Sequence, residues 1–441
     1  MTTRIFLAST LYGAVTLAAG LDSGCFAGAP ADRRLLLVAN NAAAPETAVP
    51  LDRMPGFERL RPRFDAVLSW NEAIAPFHPG GWSPRPDDVP LWERYLRLLW
   101  GLGEGERVEL VVESLQVAPA LTLAQLFPDA PVDVYADGLM SYGPTRVKLD
   151  PLVGERVRRL LHLELVEGLR PLLLAEFGAV PEAIPAEAFR KVVDELTAEE
   201  LAGGGLPEGG ALLLGQYLSA LGILSPAEEE ALHLRMVRGA VARGHRRLVF
   251  KPHPVAPASW LQALEREAAA LGAQLTVCDR PVLAEVLFRL RPALVVACFS
   301  TALFTADRFY GIPVARLGTE PLLDRLTPYQ NSNRVPVTLA DALLPDLETG
   351  ETHDVDDLTG LVHAVGFAMR PQVRPDLRPA AERYLAAHLD TRTRRYFKRR
   401  RLTVLGLPGG VPGGLRVPRN ALTRRLARRA RRLRRALVRT P

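Results

Sequence analysis

The chain has 441 residues, 48% apolar and 24% charged, enough to bury two or three domain cores and too apolar for wholesale disorder. Its formal charge of +6 divides unevenly: Arg392 to Pro441 holds 18 Lys or Arg and no Asp or Glu, which leaves 37 basic and 49 acidic side chains, a net of −12, in the residues before it. The sequence pI near 9.4 therefore describes a tail, and a basic globular nucleic-acid binder loses support.

At the N-terminus, Arg4 followed by an apolar run of 16 residues, with Ala-Gly-Ala-Pro-Ala at 27–31, has the outline of a secretory leader. The run is short of the ~20 residues that cross a bilayer. It divides into a strand over Thr3–Ser9 and a helix over Leu11–Asp22, and the chain continues in the same style. The short runs 33–40, 64–70, 107–114 and 131–138 read as further strands between helices or loops, which predicts βαβ units and a parallel sheet. Helical periodicity is then read over 156–178, followed by a Pro-broken stretch and a helix from Ala186. The Gly-rich segment 201–210 reads as a hinge. A second alternating series follows, with strands expected at 211–218, 248–254, 273–279, 293–300 and 313–318 and helices near 226–243, 258–271 and 282–290. The expected organisation is two Rossmann-like α/β domains, residues 1–204 and 205–390, facing a cleft, with a basic linker and helical tail over 391–441. Ligands in such folds sit beyond the carboxyl ends of the strands.

Cys25, Cys278 and Cys298 are odd in number and fit no metal-ligand spacing, which argues against a disulfide scaffold or zinc site and for a reducing compartment. There is no GxGxxG after the first strand, no Walker A sequence and no GxSxG elbow, which disfavours dinucleotide oxidoreduction, P-loop hydrolysis and an α/β-hydrolase.

Three strand-end positions carry chemistry. Lys251-Pro252-His253-Pro254 places an imidazole between prolines just after an apolar strand, and Lys251 is one of 4 Lys against 51 Arg; a rigid turn explains the same residues. Ser300-Thr301 opens a helix, where hydroxyls and free amides can hold an anion, although an ordinary Ser cap has the same appearance. Asp137-Gly138 ends a strand of the other domain, where a carboxylate can act as general base and where an Asp-Gly turn is the plainer reading. Gln216 and Tyr217, at the end of the second domain's first strand, are placed near a nucleotide or in buried polar packing. Asn71 and Glu72, beyond 64–70, fit acceptor contacts or a helix cap. Asp354-Val355-Asp356-Asp357 has metal-motif spacing, but it precedes an apolar helix and reads as capping, so no metal is expected.

In that order, Asp137-Gly138, His253-Pro254 and Ser300-Thr301 resemble the three short motifs of the bacterial α-2,8-polysialyltransferase family, and flanking text such as SWNEAIAPFHPGGW and GALLLGQYLSALGIL extends the resemblance over most of residues 1 to 330. Ala136 departs from it, since a doubly acidic motif would place a carboxylate there; Asp137 is left as the one base at that position. The resemblance implies a GT-B-type, inverting sialyltransferase using CMP-sialic acid. Asp137 would deprotonate the acceptor hydroxyl, His253 would stabilise the departing CMP, and Ser300 and Thr301 would hold its phosphate. Gly138, Lys251, Pro254, Gln216 and Asn71 would complete the substrate contacts. No cofactor beyond the activated sugar is expected. A phosphate held by His and Ser does not identify the sugar, so another activated unit such as CDP-glycerol fits the same residues, and a non-catalytic polyanion-binding scaffold stands as the other alternative.

Residues 421–439 set Leu422, Leu426, Leu433 and Leu437 at helical spacing among nine Arg. This pattern predicts a basic amphipathic helix at an anionic membrane surface, with an acidic product polymer as the alternative ligand and nucleic acid not expected. The protein is accordingly placed in the cytoplasm, peripheral to the inner face of the membrane.

Overall fold

Apolar runs separated by helices pair in parallel, because each helix returns the chain to the same edge of the sheet. The computed structural model describes residues 1–27, 32–136, 138–200, 206–216, 218–253, 257–353 and 355–411, with the backbone alone for 197–200. It contains two parallel sheets. The first comprises β1 (Thr2–Ala8), β2 (Arg33–Val38), β3 (Ala66–Ser69), β4 (Arg107–Glu113), β5 (Val132–Ala136), β6 (Val157–Leu163) and β7 (Val180–Ile184), in the order β3-β2-β1-β4-β5-β6-β7. The second comprises β8 (Ala211–Leu214), β9 (Arg247–Lys251), β10 (Gln274–Val277), β11 (Leu294–Ala297) and β12 (Val314–Arg316), in the order β10-β9-β8-β11-β12. Sheet growth reverses between β1 and β4 in one domain and between β8 and β11 in the other, and such switch points leave a crevice at the strands' carboxyl ends.

The apolar N-terminal run is the strand and helix expected of it. β1 is an interior strand of its sheet, buried from Thr3 to Ala8. Helix Leu11–Asp22 starts at Thr10, whose hydroxyl accepts from the Gly13 amide, and packs against helix Ala186–Glu200. Residues 156–178 are a correction. They form β6 and a loop, because Leu160 to Leu163 are covered on both faces of the sheet, and such a run has the same apolar continuity as a buried helix. The Pro-broken stretch contains β7, an edge strand where Pro181 forfeits no interior ladder bond. Residues Ala284–Leu290 form a 3₁₀ rather than an α-helix.

One apolar core spans both domains. Phe189 of the first domain meets Phe309 of the second edge-on at 5.8 Å between ring centroids, and Arg308 pairs with Glu167 at 2.9 Å. Helix Leu358–Met369 turns back to the first domain. At Gly366 a β-carbon would stand 2.8 Å from Leu172 Cδ1, so a larger residue there would make the Leu172 side chain shift. Within the segment expected to be linker, Thr393, Tyr396, Phe397, Leu402 and Leu407 are buried and Arg399–Leu405 is helical; residues 391–411 therefore belong to the folded body. The tail 421–439 lies outside the described residues. Among the described residues no helix is long and apolar enough to cross a membrane.

Candidate active site

The carboxyl ends of the two sheets open onto one cleft of about 690 Å³ between the domains. From the first domain it is lined by Thr10 beyond β1, Ser114 beyond β4, and Ala136 and Gly138 at the end of β5; from the second, by Gln216 beyond β8, His253 beyond β9, Glu285, and Ser300 and Thr301 beyond β11. Asp137, Pro254 and Tyr217 lie outside the described residues, but the neighbours of Asp137 on both sides line the cleft.

Gly138 and Thr301 bring the domains together. A β-carbon built on Gly138 would stand 3.0 Å from Thr301 Oγ1, so Gly138 and Thr301 face each other at close range across the cleft. The Gly138 backbone is extended (φ −160°) and its carbonyl accepts from the amide and hydroxyl of Ser141. Its glycine is therefore needed for the close approach and not for backbone freedom.

Ser300 caps helix Thr301–Tyr310, its hydroxyl accepting from the Ala302 amide at 3.2 Å. The cap reading and the cleft reading hold together, since the capping hydroxyl lines the cavity and the helix N-terminus faces it. Gln216 Oε1 accepts from the amides of Cys298 at 3.2 Å and Phe299 at 2.9 Å. It ties the β8 end to the turn that presents Ser300. Glu229 does similar work from behind, accepting from the Leu218 and Ser219 amides.

Partial burial holds the His253 imidazole below the ordinary histidine range, although the residue keeps an exposed face; the Glu229 carboxylate opposes this and the Lys251 ammonium adds to it. Lys251 does not line the cleft. Its ammonium donates to the Arg280 carbonyl at 3.1 Å and its pKa is lowered by burial, so it acts on His253 through its charge. Asn71 also stands apart: its side chain accepts from the Asn40 amide and donates to the Asn40 carbonyl, and it lines a separate cavity beyond β2 and β3.

The structure adds two residues that sequence reasoning missed. Glu285 is 3% exposed, is bonded to Thr305 Oγ1 at 3.0 Å and has its pKa raised by burial. No motif surrounds it. Ser114 sits at φ 51°, a left-handed conformation rare for serine, and no sequence signal marks it. Among the described lining residues there is no Lys or Arg, and among the described residues no group of three or more His, Cys, Asp or Glu converges as a metal site requires. Asp357 caps helix Leu358–Met369 through the Gly360 amide at 2.7 Å.

Two Rossmann-like domains meeting at their strand ends around such a cleft have the GT-B arrangement. The family model for alpha-2,8-polysialyltransferase (POLYST) matches residues 4–319, a stretch that includes all three motifs, and the chain belongs to that family. It is thus a glycosyltransferase, with a nucleotide-sugar donor and a glycan acceptor, and the scaffold alternative gives way. No curated protein matches the chain by sequence. Similar solved structures include an O-GlcNAc transferase mutant of Thermobaculum terrenum (13% identity, 90% of this chain and 67% of that one, TM-score 0.36). Others are TcCGT1 in complex with UDP (12%, 90% and 97%, TM-score 0.42) and the E. coli ADP-heptose LPS heptosyltransferase II (12%, 72% and 84%, TM-score 0.36).

Proposed function

We propose that the enzyme transfers sialic acid from CMP-sialic acid to a glycan hydroxyl with inversion at the anomeric carbon. The observation that carries this reading is the convergence of His253, Ser300, Thr301 and Gly138 on one cleft. Asp137 takes the acceptor proton as the hydroxyl oxygen bonds to the anomeric carbon, and the bond from that carbon to the phosphate oxygen breaks. CMP leaves with the bonding pair. His253 in its protonated form, the hydroxyls of Ser300 and Thr301 and the helix N-terminus meet the developing charge. In this scheme no metal takes part.

Ranking CMP, CDP, UDP and GDP by thermal stabilisation tests the donor class, with CMP expected to stabilise most and Asp137→Ala expected to retain that response while losing transfer. Stabilisation by UDP alone would sink the reading. A preference for CDP together with turnover of CDP-glycerol would move it to the alternative substrate.

The tail supports a peripheral position at the inner membrane face, through the Leu stripe and nine Arg of residues 421–439. The full chain is expected to co-sediment with vesicles containing anionic lipid, and a chain ending at Val411 is expected to remain in the supernatant. Equal partitioning of the two would place the membrane contact elsewhere.

A further inference from the structure

A second cavity, of about 440 Å³, lies beyond the ends of β2 and β3 and contains no part of the site described above. In the first sheet these strands adjoin β1, whose end opens onto the catalytic cleft. Both cavities therefore lie at the carboxyl edge of the same sheet, at the ends of successive strands. An extended ligand lying along that edge would reach both.

The walls of this cavity indicate the kind of ligand. Phe77, 46% exposed, is stacked on Trp82 with ring centroids 5.4 Å apart and planes at 13°. Trp82 packs edge-on to Trp92 at 4.7 Å, and Trp92 to Tyr95 at 5.6 Å. This backing fixes the Phe77 ring as an exposed flat surface. Glu46, Asp52 and Glu72 also line the cavity, against one guanidinium, that of Arg53. His78 is engaged with the loop backbone, through the Gly80 amide and the Ala42 carbonyl, and the Asn40–Asn71 pair fixes the floor. Aromatic faces accept the C–H face of a pyranose, and carboxylates accept hydrogen bonds from its hydroxyls. An excess of carboxylates disfavours a sugar that bears one of its own.

We propose that this cavity is an acceptor subsite for an uncharged sugar unit, a few residues from the acceptor end that reacts. The placement rests on the reading that the cleft transfers sialic acid to a glycan. The enzyme then distinguishes a primer by its neutral sugars as well as by its sialylated end.

The test uses lactose as the neutral probe and the full chain in saturation-transfer NMR, without donor. Lactose is expected to receive saturation from wild type and to lose it in Phe77→Ala and in Glu72→Gln, with melting temperatures unchanged. In transfer assays, Phe77→Ala is expected to raise KM about tenfold for a sialylated lactoside, the loss of one aromatic contact, with kcat kept and with KM unchanged for an acceptor made of sialic acid alone. Saturation of lactose that is undiminished in both variants, or its displacement by oligosialic acid, would overturn the proposal. Because the NMR arm needs no donor, it remains decisive if CMP-sialic acid proves not to be the substrate. If transfer occurs while lactose gives no signal, the subsite alone is refuted.

Discussion

His253→Ala is expected to lower kcat by about 10²- to 10⁴-fold, the range for loss of a group that manages a proton or charge in the transition state. It is also expected to remove a pH dependence from nucleotide binding. In the free enzyme desolvation holds the imidazole below its ordinary range, so at neutral pH it is uncharged. A phosphate bound beside it favours the protonated form and raises its pKa. Binding therefore takes up a proton, and affinity for CMP rises as pH falls, by up to about tenfold per pH unit between the bound and free pKa values. Below about 6 the phosphate itself gains a proton and the increase ends. Among the described lining residues of the cleft, His253 is the one basic side chain. Calorimetric titration of CMP at several pH values checks it. A wild-type profile as flat as that of His253→Ala would remove the imidazole from the phosphate site.

The largest stability effect is expected at Asp341. This carboxylate is fully buried and accepts from Thr319 Oγ1 at 2.6 Å and Tyr396 Oη at 3.0 Å. Arg316 and Arg395 lie at 3.4 and 3.6 Å. Asp341→Ala leaves the Arg316 guanidinium, itself 4% exposed, with Asp346 as its remaining carboxylate, and strands two hydroxyls. Removing one partner of a buried charge network costs about 3–5 kcal/mol. Asp341→Asn keeps the acceptor oxygen and is expected to lose less. Urea denaturation separates the two variants, and a loss under 1 kcal/mol for Asp341→Ala would show that the network is dispensable. Tyr396 lies in the segment 391–411, so the same substitution removes one of that segment's buried ties to the body.

Much of the architecture was legible because parallel strands buried on both faces announce themselves as short runs of Leu, Val and Ile between helical stretches. The same property concealed β6, whose apolar continuity extends into the loop after it, and β7 was obscured by the proline that an edge strand tolerates. At the site, strand-end placement located His253, Ser300, Thr301, Gly138 and Gln216, since a strand's carboxyl end in this fold faces the cleft whatever follows it. Side-chain direction was not legible. Lys251 and Asn71 occupy strand ends too, yet one turns to the Arg280 carbonyl and the other to the Asn40 backbone. Glu285 left no trace in the sequence, because its burial depends on Thr305, twenty positions away, and only packing brings the two together.

The contact between Gly138 and Thr301 sets a gauge. Gly138 stands at the end of a first-domain strand and Thr301 at the start of a second-domain helix, so the width of the cleft at this point follows from how the two domains meet. A substitution that adds bulk at position 138 therefore acts on both walls of the cleft at once, the strand end that carries it and the helix start that faces it.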